Sequence, residues 1–120
     1  MDAIDALTAV CAAWEHLDAD RLATLFADDG NYEDPLKERT LRGVQDIRDG
    51  NAPAMAALSV CEIRLRRTVG DATAAFAEGD FRSELRGGGR LDFAFALLVE
   101  MEAGKVRRVA EYFDTRPLLP

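Results

Sequence analysis

Two acids of this chain stand where carboxylates are seldom found. Asp34 lies in Asn31-Tyr32-Glu33-Asp34-Pro35-Leu36, among apolar residues and directly before a proline. Glu111 alternates with Val109 and Phe113 near the other end of the chain. An acid between large apolar neighbours is unusual, because an unpaired carboxylate is rarely buried. Walls of apolar side chains raise the pKa of such a group toward neutrality, where it can move a proton. Each acid also has a plainer reading. Asp34 can be a turn residue that caps a backbone N–H before Pro35, and Glu111 can face outward or pair with an arginine. A third set of charges, Glu78, Asp80, Arg82 and Glu84, shares one face of an alternating segment. Such a run is first of all a solvated face. The alternative is a polar pocket wall in which Arg82 orients Asp80.

Other residues can shape a pocket without carrying the chemistry. Asp92 has the parity of Ala94, Ala96 and Leu98, small residues that leave room for a ligand with Asp92 at one end. The opposite parity carries Leu91, Phe93, Phe95, Leu97 and Val99, which must pack in a core or a dimer interface. Trp14 continues the apolar stripe of Leu7, Val10 and Cys11, so it is a core residue or a pocket-lining indole. His16, two residues on, faces out. Tyr32 has the parity of Asp34 and can donate to a substrate oxygen or simply pack.

Composition narrows the function classes. The 120 residues suffice for one domain and one core, taken as residues 1–120. With 15 basic and 22 acidic residues the formal charge is −7. That argues against phosphate-driven nucleic-acid binding and against attachment to an anionic membrane surface. No apolar run reaches the roughly 18 residues of a membrane span. The acidic start, Met1-Asp2-Ala3, lacks the basic region of a signal peptide. Cys11 and Cys61 sit in apolar patterns and read as buried thiols of a reduced compartment. The expectation is a soluble, cytoplasmic domain. It needs no cofactor, since the sequence holds neither a Gly-rich phosphate loop nor a spaced set of metal ligands.

The elements that must position these residues follow from periodicity. Residues 3–26 recur at helical spacing, with a break near Leu17 and Asp18 as the N-cap of a second short helix. Asp28-Asp29 punctuates the end of that helix and Gly30 stops it. Residues 31–36 are extended, because a residue before proline leaves the α region. Gly43 precedes a short third helix with Val44 and Ile47 inward, and residues 51–58 add at most another turn. From Ser59 the period becomes two, with turns at Gly70-Asp71, at the glycines 87–89 and at Ala103-Gly104. Pro117 and Pro120 end regular structure. Helices followed by a meander of antiparallel strands make an α+β plan, with one curved sheet folded around the helices as a half-open cone.

This layout, together with Asp18–Leu36, Leu41–Arg48 and Gly104–Asp114 as sequence motifs, resembles the nuclear transport factor 2-like superfamily. Within it the chain is similar to the SnoaL-like polyketide cyclases and ketosteroid isomerases, over nearly its whole length. The resemblance implies a cone-shaped, cystatin-like α+β barrel, a homodimer and a small apolar ligand. It places the isomerase base on Asp34. The isomerase oxyanion donors, a Tyr and a protonated Asp, fall on Val10 and Ala96 by a gapless count, so both are missing. The Asp-Arg-Asp set of the related epoxide hydrolases falls on Asp80, Glu78 and Glu111. The catalytic candidates are therefore Asp34, Glu111 and Asp80, and the substrate-binding candidates are Trp14, Tyr32, Arg82, Asp92 and Phe113. The implied function is cofactor-free general acid–base chemistry on an apolar carbonyl compound: isomerisation, cyclisation or dehydration. The alternatives are epoxide hydrolysis by an activated water and a non-catalytic ligand-binding or dimerisation module, because this fold hosts many activities.

Overall fold

The computed structural model describes residues 1–118, so Pro120 lies outside the described residues. Helix α1 (Ala3–Glu15) starts at Asp2, whose carboxylate accepts from the Asp5 N–H at 2.8 Å. Asp18 caps α2 (Ala19–Ala23) in the same way through the Arg21 N–H. Both satisfy amides that the first helical turn leaves free. The break expected near Leu17 is there, and Leu17 turns the chain in the left-handed region at φ 53°.

Strand β1 (Phe26–Asp34) begins earlier than expected. Asp28, Asp29 and Gly30 belong to it and do not end a helix. The reason is long-range: Phe26 and residues 31–33 pair with the last strand, β6 (Lys105–Phe113). A Cβ on Gly30 would sit 3.0 Å from the Val106 carbonyl oxygen, so glycine here serves a close approach of two strands. Pro35 ends β1 and opens a 3-10 turn over Pro35–Lys37. Strand β2 (Arg39–Arg42) returns antiparallel and sets Arg39 opposite Asp34. Helix α3 (Val44–Ala56) follows Gly43 and continues through residues 51–56, with Pro53 inside it.

Strands β3 (Leu58–Gly70), β4 (Ala74–Leu85), β5 (Arg90–Glu102) and β6 form the expected meander. The sheet order is β2-β1-β6-β5-β4-β3, an open sheet with β2 and β3 at its edges. It is mixed and not antiparallel throughout, because β1 runs parallel to β6. A parallel neighbour needs a long crossover, and here everything from β2 to β5 supplies it. The sheet packs on the helices through Leu7, Val10, Leu22, Tyr32, Ile47, Val99, Val106 and Val109. In β4 the inward positions are Ala75, Ala77, Gly79, Phe81 and Ser83. Pro117 lies in a closing 3-10 turn, Arg116–Leu118. Among the described residues no helix is long and apolar enough to cross a membrane.

Candidate functional site

The sheet and helices α1 and α3 enclose a cavity of about 280 Å³. Three strands contribute its aromatic wall. Phe81 and Phe93 stack with centroids 4.6 Å apart and planes within 7°, and Phe93 and Phe113 stack at 4.6 Å and 22°. These separations match the spacing of neighbouring strands, about 4.8 Å. The rings therefore stand upright across the sheet and turn their edges to the cavity. Trp14 meets Phe81 edge-on at 6.1 Å and 78°. Val10 and Cys11 of α1, Ala54 of α3, and Leu91, Phe95 and Leu97 of β5 complete an apolar lining.

The polar end is built by the parallel seam. Glu33 aligns with Ala110 across β1 and β6, so the next residues, Asp34 and Glu111, fall side by side. Asp34 is only 1% exposed. Its Oδ2 accepts from Arg39 Nε at 3.0 Å and from Nη2 at 2.8 Å. Arg39 Nη1 also donates to the Gly50 carbonyl at 3.1 Å, which fixes the guanidinium. The other oxygen of Asp34, Oδ1, is buried and has no hydrogen-bond partner among the described residues. Glu111 is close enough to share a proton with it. Burial, then the hydrogen bond to Asp34 and the charge of Asp34, push the Glu111 carboxyl well above the usual glutamate range; Tyr32 and Arg39 oppose this only in part. A proton on Glu111 would make it the donor to Asp34 in that hydrogen bond.

A second chain of hydrogen bonds holds Glu111 from behind. The Tyr32 hydroxyl donates to Glu111 Oε2 at 2.9 Å, and Trp14 Nε1 donates to the Tyr32 oxygen at 3.0 Å. Tyr32 is fully buried, and burial followed by the charges of Glu111 and Asp34 raises its phenol well above 10, so it stays a donor. Tyr32→Phe should leave both the indole N–H and Glu111 Oε2 without their partner. We expect a loss of about 1–2 kcal/mol in urea unfolding. We also expect a further rise of the Glu111 pKa by carbon NMR titration, because the lost bond favours the ionised form. An unmoved Glu111 titration would show that the hydroxyl does not act on it.

Glu111 keeps some accessible surface and Asp34 almost none. Since Glu111 is surrounded by protein, that surface opens into the cavity. Glu111 thus presents its surface to the cavity, and Asp34 is more deeply buried beside it. Burial pushes up the Glu111 carboxyl, and Asp34 meets the guanidinium of Arg39.

Of the residues singled out from sequence, Trp14, Asp34, Glu111 and Phe113 line the cavity, and Tyr32 braces it from within the core. Asp80, Arg82 and Asp92 are not brought to it. The inward positions of β4 and β5 are taken by Phe81, Leu91, Phe93, Phe95 and Leu97, so strict alternation turns Asp80, Arg82 and Asp92 to the outer face. There Asp80 pairs with Arg66 at 3.4 Å and Asp92 with Arg90 at 3.0 Å. The apolar face of β5, which offered the sequence signal for a homodimer, is the cavity wall. Ala96 also points outward, and its inward neighbours Phe95 and Leu97 carry no donor, so the absence of an oxyanion donor on β5 holds whichever residue is counted. His16 lies at the C-terminal cap of α1 and is exposed. Asp114 pairs locally with Arg116 at 2.6 Å. Cys11 and Cys61 are buried free thiols, each pushed up to about 12 chiefly by burial, and so are poor nucleophiles.

Sequence reasoning missed Arg39, Lys37 and Asn51, which also line the cavity. For Arg39 a signal existed: a base five residues after Asp34, across a turn that Pro35 opens.

The model of the SnoaL-like domain matches residues 7–109. The chain belongs to the SnoaL-like family. Solved structures repeat its fold at low identity. A protein of Catenulispora acidiphila DSM 44928 with a ketosteroid isomerase-like fold, in complex with trimethylamine, is 21% identical, with 98% of this chain and 95% of that one covered and a TM-score of 0.83. An M. tuberculosis LEH-like epoxide hydrolase is 21% identical, with 93% and 82% covered and a TM-score of 0.77. A candidate SnoaL-like polyketide cyclase from Shewanella putrefaciens CN-32 is 14% identical, with 96% and 91% covered and a TM-score of 0.81. No curated protein gives a significant match. At these identities the likeness speaks for the cone of this SnoaL-like domain and leaves its activity to the site.

Proposed function

We propose that this SnoaL-like domain is a small-molecule enzyme working by cofactor-free general acid–base catalysis, with Glu111 as the proton carrier. The observation that carries this reading is a pair of neighbouring buried carboxyls, Asp34 and Glu111, at the polar end of an apolar cavity. Two acids in unlike surroundings take opposite protonation states. Asp34 has a cation and Glu111 has none at comparable range, so the proton belongs to Glu111. In the reaction Glu111 donates that proton to a carbonyl oxygen of the substrate. The carboxylate so formed, held by the Tyr32 hydroxyl and unsettled by Asp34 beside it, then takes a proton from the adjacent carbon. Glu111 ends as it began, and the substrate leaves as its enol or, after reprotonation elsewhere, as an isomer. Asp34 becomes a positioning residue in this scheme, with Arg39 as its counter-charge.

2-Tetralone, a bicyclic ketone with acidic α-protons, tests the proposal. In D2O, proton NMR should show loss of its α-proton signals with the wild-type protein, and Glu111→Gln should slow this by about 10²-fold. Equal rates for the two proteins would sink the catalytic reading and leave the binding module. The epoxide-hydrolase alternative draws some support from Asp34, Arg39 and Glu111, which together supply an acid–arginine–acid set. Those two acids, however, are close enough to share a proton directly, which leaves no place for a water between them.

A further inference from the structure

With Glu111 carrying a proton, as proposed above, the charges around the cavity do not balance. Four groups with full-charge chemistry line it: Asp34, Glu111, Lys37 and Arg39. Arg39 is matched to Asp34 by two contacts. Glu111, in the scheme above, is neutral and hydrogen-bonded to Asp34. Lys37 is left over. Among the described residues no carboxylate lies within ion-pair distance of its ammonium. The chain as a whole carries −7, yet the wall of its cavity carries one uncompensated positive charge.

The backbone sets this lysine in place. Lys37 is the last residue of the 3-10 turn that Pro35 opens, and the Glu38 N–H closes the turn on the Pro35 carbonyl at 3.1 Å. Glu38 sits at φ 53°, ψ 38°, a region that residues other than glycine seldom adopt. Pro35 itself follows Asp34, so the turn that presents the ammonium is anchored on the carboxyl pair. An exposed lysine is ordinary on a protein surface. Lys37, though exposed, is one of the residues lining a mostly apolar cavity, on a turn fixed to its polar end.

We propose that the cavity selects a carboxylate: an apolar compound whose single ionised carboxyl group pairs with Lys37 at the rim while its body lies against the aromatic wall. The proposal rests on Glu111 carrying the proton, since an ionised Glu111 would already neutralise the cavity. The anion would restore the balance, and the apolar body would fill the space that Phe81, Phe93 and Phe113 surround. An ammonium–carboxylate hydrogen bond at a rim reached by water is stronger than a neutral one but partly screened.

Isothermal titration calorimetry with 2-naphthoate and its neutral isostere 2-naphthamide tests this at pH 7 and low salt. The wild-type protein should bind the carboxylate about five- to tenfold more tightly than the amide. Lys37→Gln should erase that ratio while leaving amide binding in place, and Lys37→Arg should keep most of it. Raising the salt to about 0.5 M should shrink the ratio, because screening acts on an exposed pair. Equal affinity for the two compounds, a preference that survives Lys37→Gln, or no binding of either compound would each overturn the proposal. Carbon NMR titration of Glu111 on the same samples separates the two readings. A raised Glu111 pKa with no carboxylate preference removes only the ligand class, whereas an ordinary Glu111 pKa removes the proton carrier and the charge imbalance with it.

Discussion

Glu111→Gln should make the folded protein more stable than wild type at neutral and alkaline pH, and no different near pH 4. The unfolded chain releases the Glu111 proton around the ordinary value of 4.5, whereas the folded site keeps it to a higher pH. Below 4.5 both states hold the proton, and the wild-type contribution is fully present. As the pH rises past that point the unfolded state gains by ionising and the folded state does not. Wild-type stability then falls by about 1.4 kcal/mol per pH unit, until the folded group ionises in its turn. Glutamine has no proton to lose and keeps the amide in nearly the same volume. The quantity to measure is the difference between the two urea-unfolding free energies across pH 4 to 9. Asp71, Asp92 and Asp114, whose carboxyls are held low by their hydrogen bonds, lose stability toward acid pH in both proteins and cancel in that difference. A difference that stays constant with pH would mean that Glu111 is ionised in the folded state.

Arg39→Met should be the costliest single change at the site. Asp34 is buried to 1% exposure and Oδ2 has no donor besides the guanidinium. Removing one partner of a buried ion pair leaves a charge without compensation, at a cost of about 3 kcal/mol when, as here, the cation itself is partly wet. Arg39 also bridges β2 to the middle of α3 through the Gly50 carbonyl, so the loss should loosen the segment from Asp34 to Gly50. Adding Asp34→Asn should recover much of the stability, because an amide carries no charge and can still meet Glu111. The double-mutant cycle on urea midpoints checks this. If Arg39→Met alone costs less than about 1 kcal/mol, the pair is not the buried ion pair described above.

Most of the architecture could be read from local pattern. The capping carboxylates at Asp2 and Asp18 act within one helical turn, and the alternation from Cys61 to Phe113 reports a sheet without knowledge of its partners. What sequence could not give is what depends on pairing across the chain. Gly30 looks like a helix stop until β6 is laid beside it. The parity of β5 offered two faces, and only the helices packed on one of them decide that Phe93 and Phe95 point in while Asp92 points out. Asp34 and Glu111 were legible as acids in apolar company, each by itself. Their meeting, and the division of labour in which Glu111 faces the cavity and Asp34 faces Arg39, comes from the register of β1 against β6.

That register ties the site to the order in which the chain is made. Asp34 belongs to the first strand and Glu111 to the last. During synthesis the early carboxylate must wait for the whole meander before its partner exists. Pairings this distant in sequence close late and slowly. If Glu111 carries a proton in the folded site, as proposed, that proton is taken up as the seam between the chain's two ends closes. Its uptake, followed with a pH-indicator dye during refolding, would time the final act of folding, and a partly built chain would lack one acid of the pair.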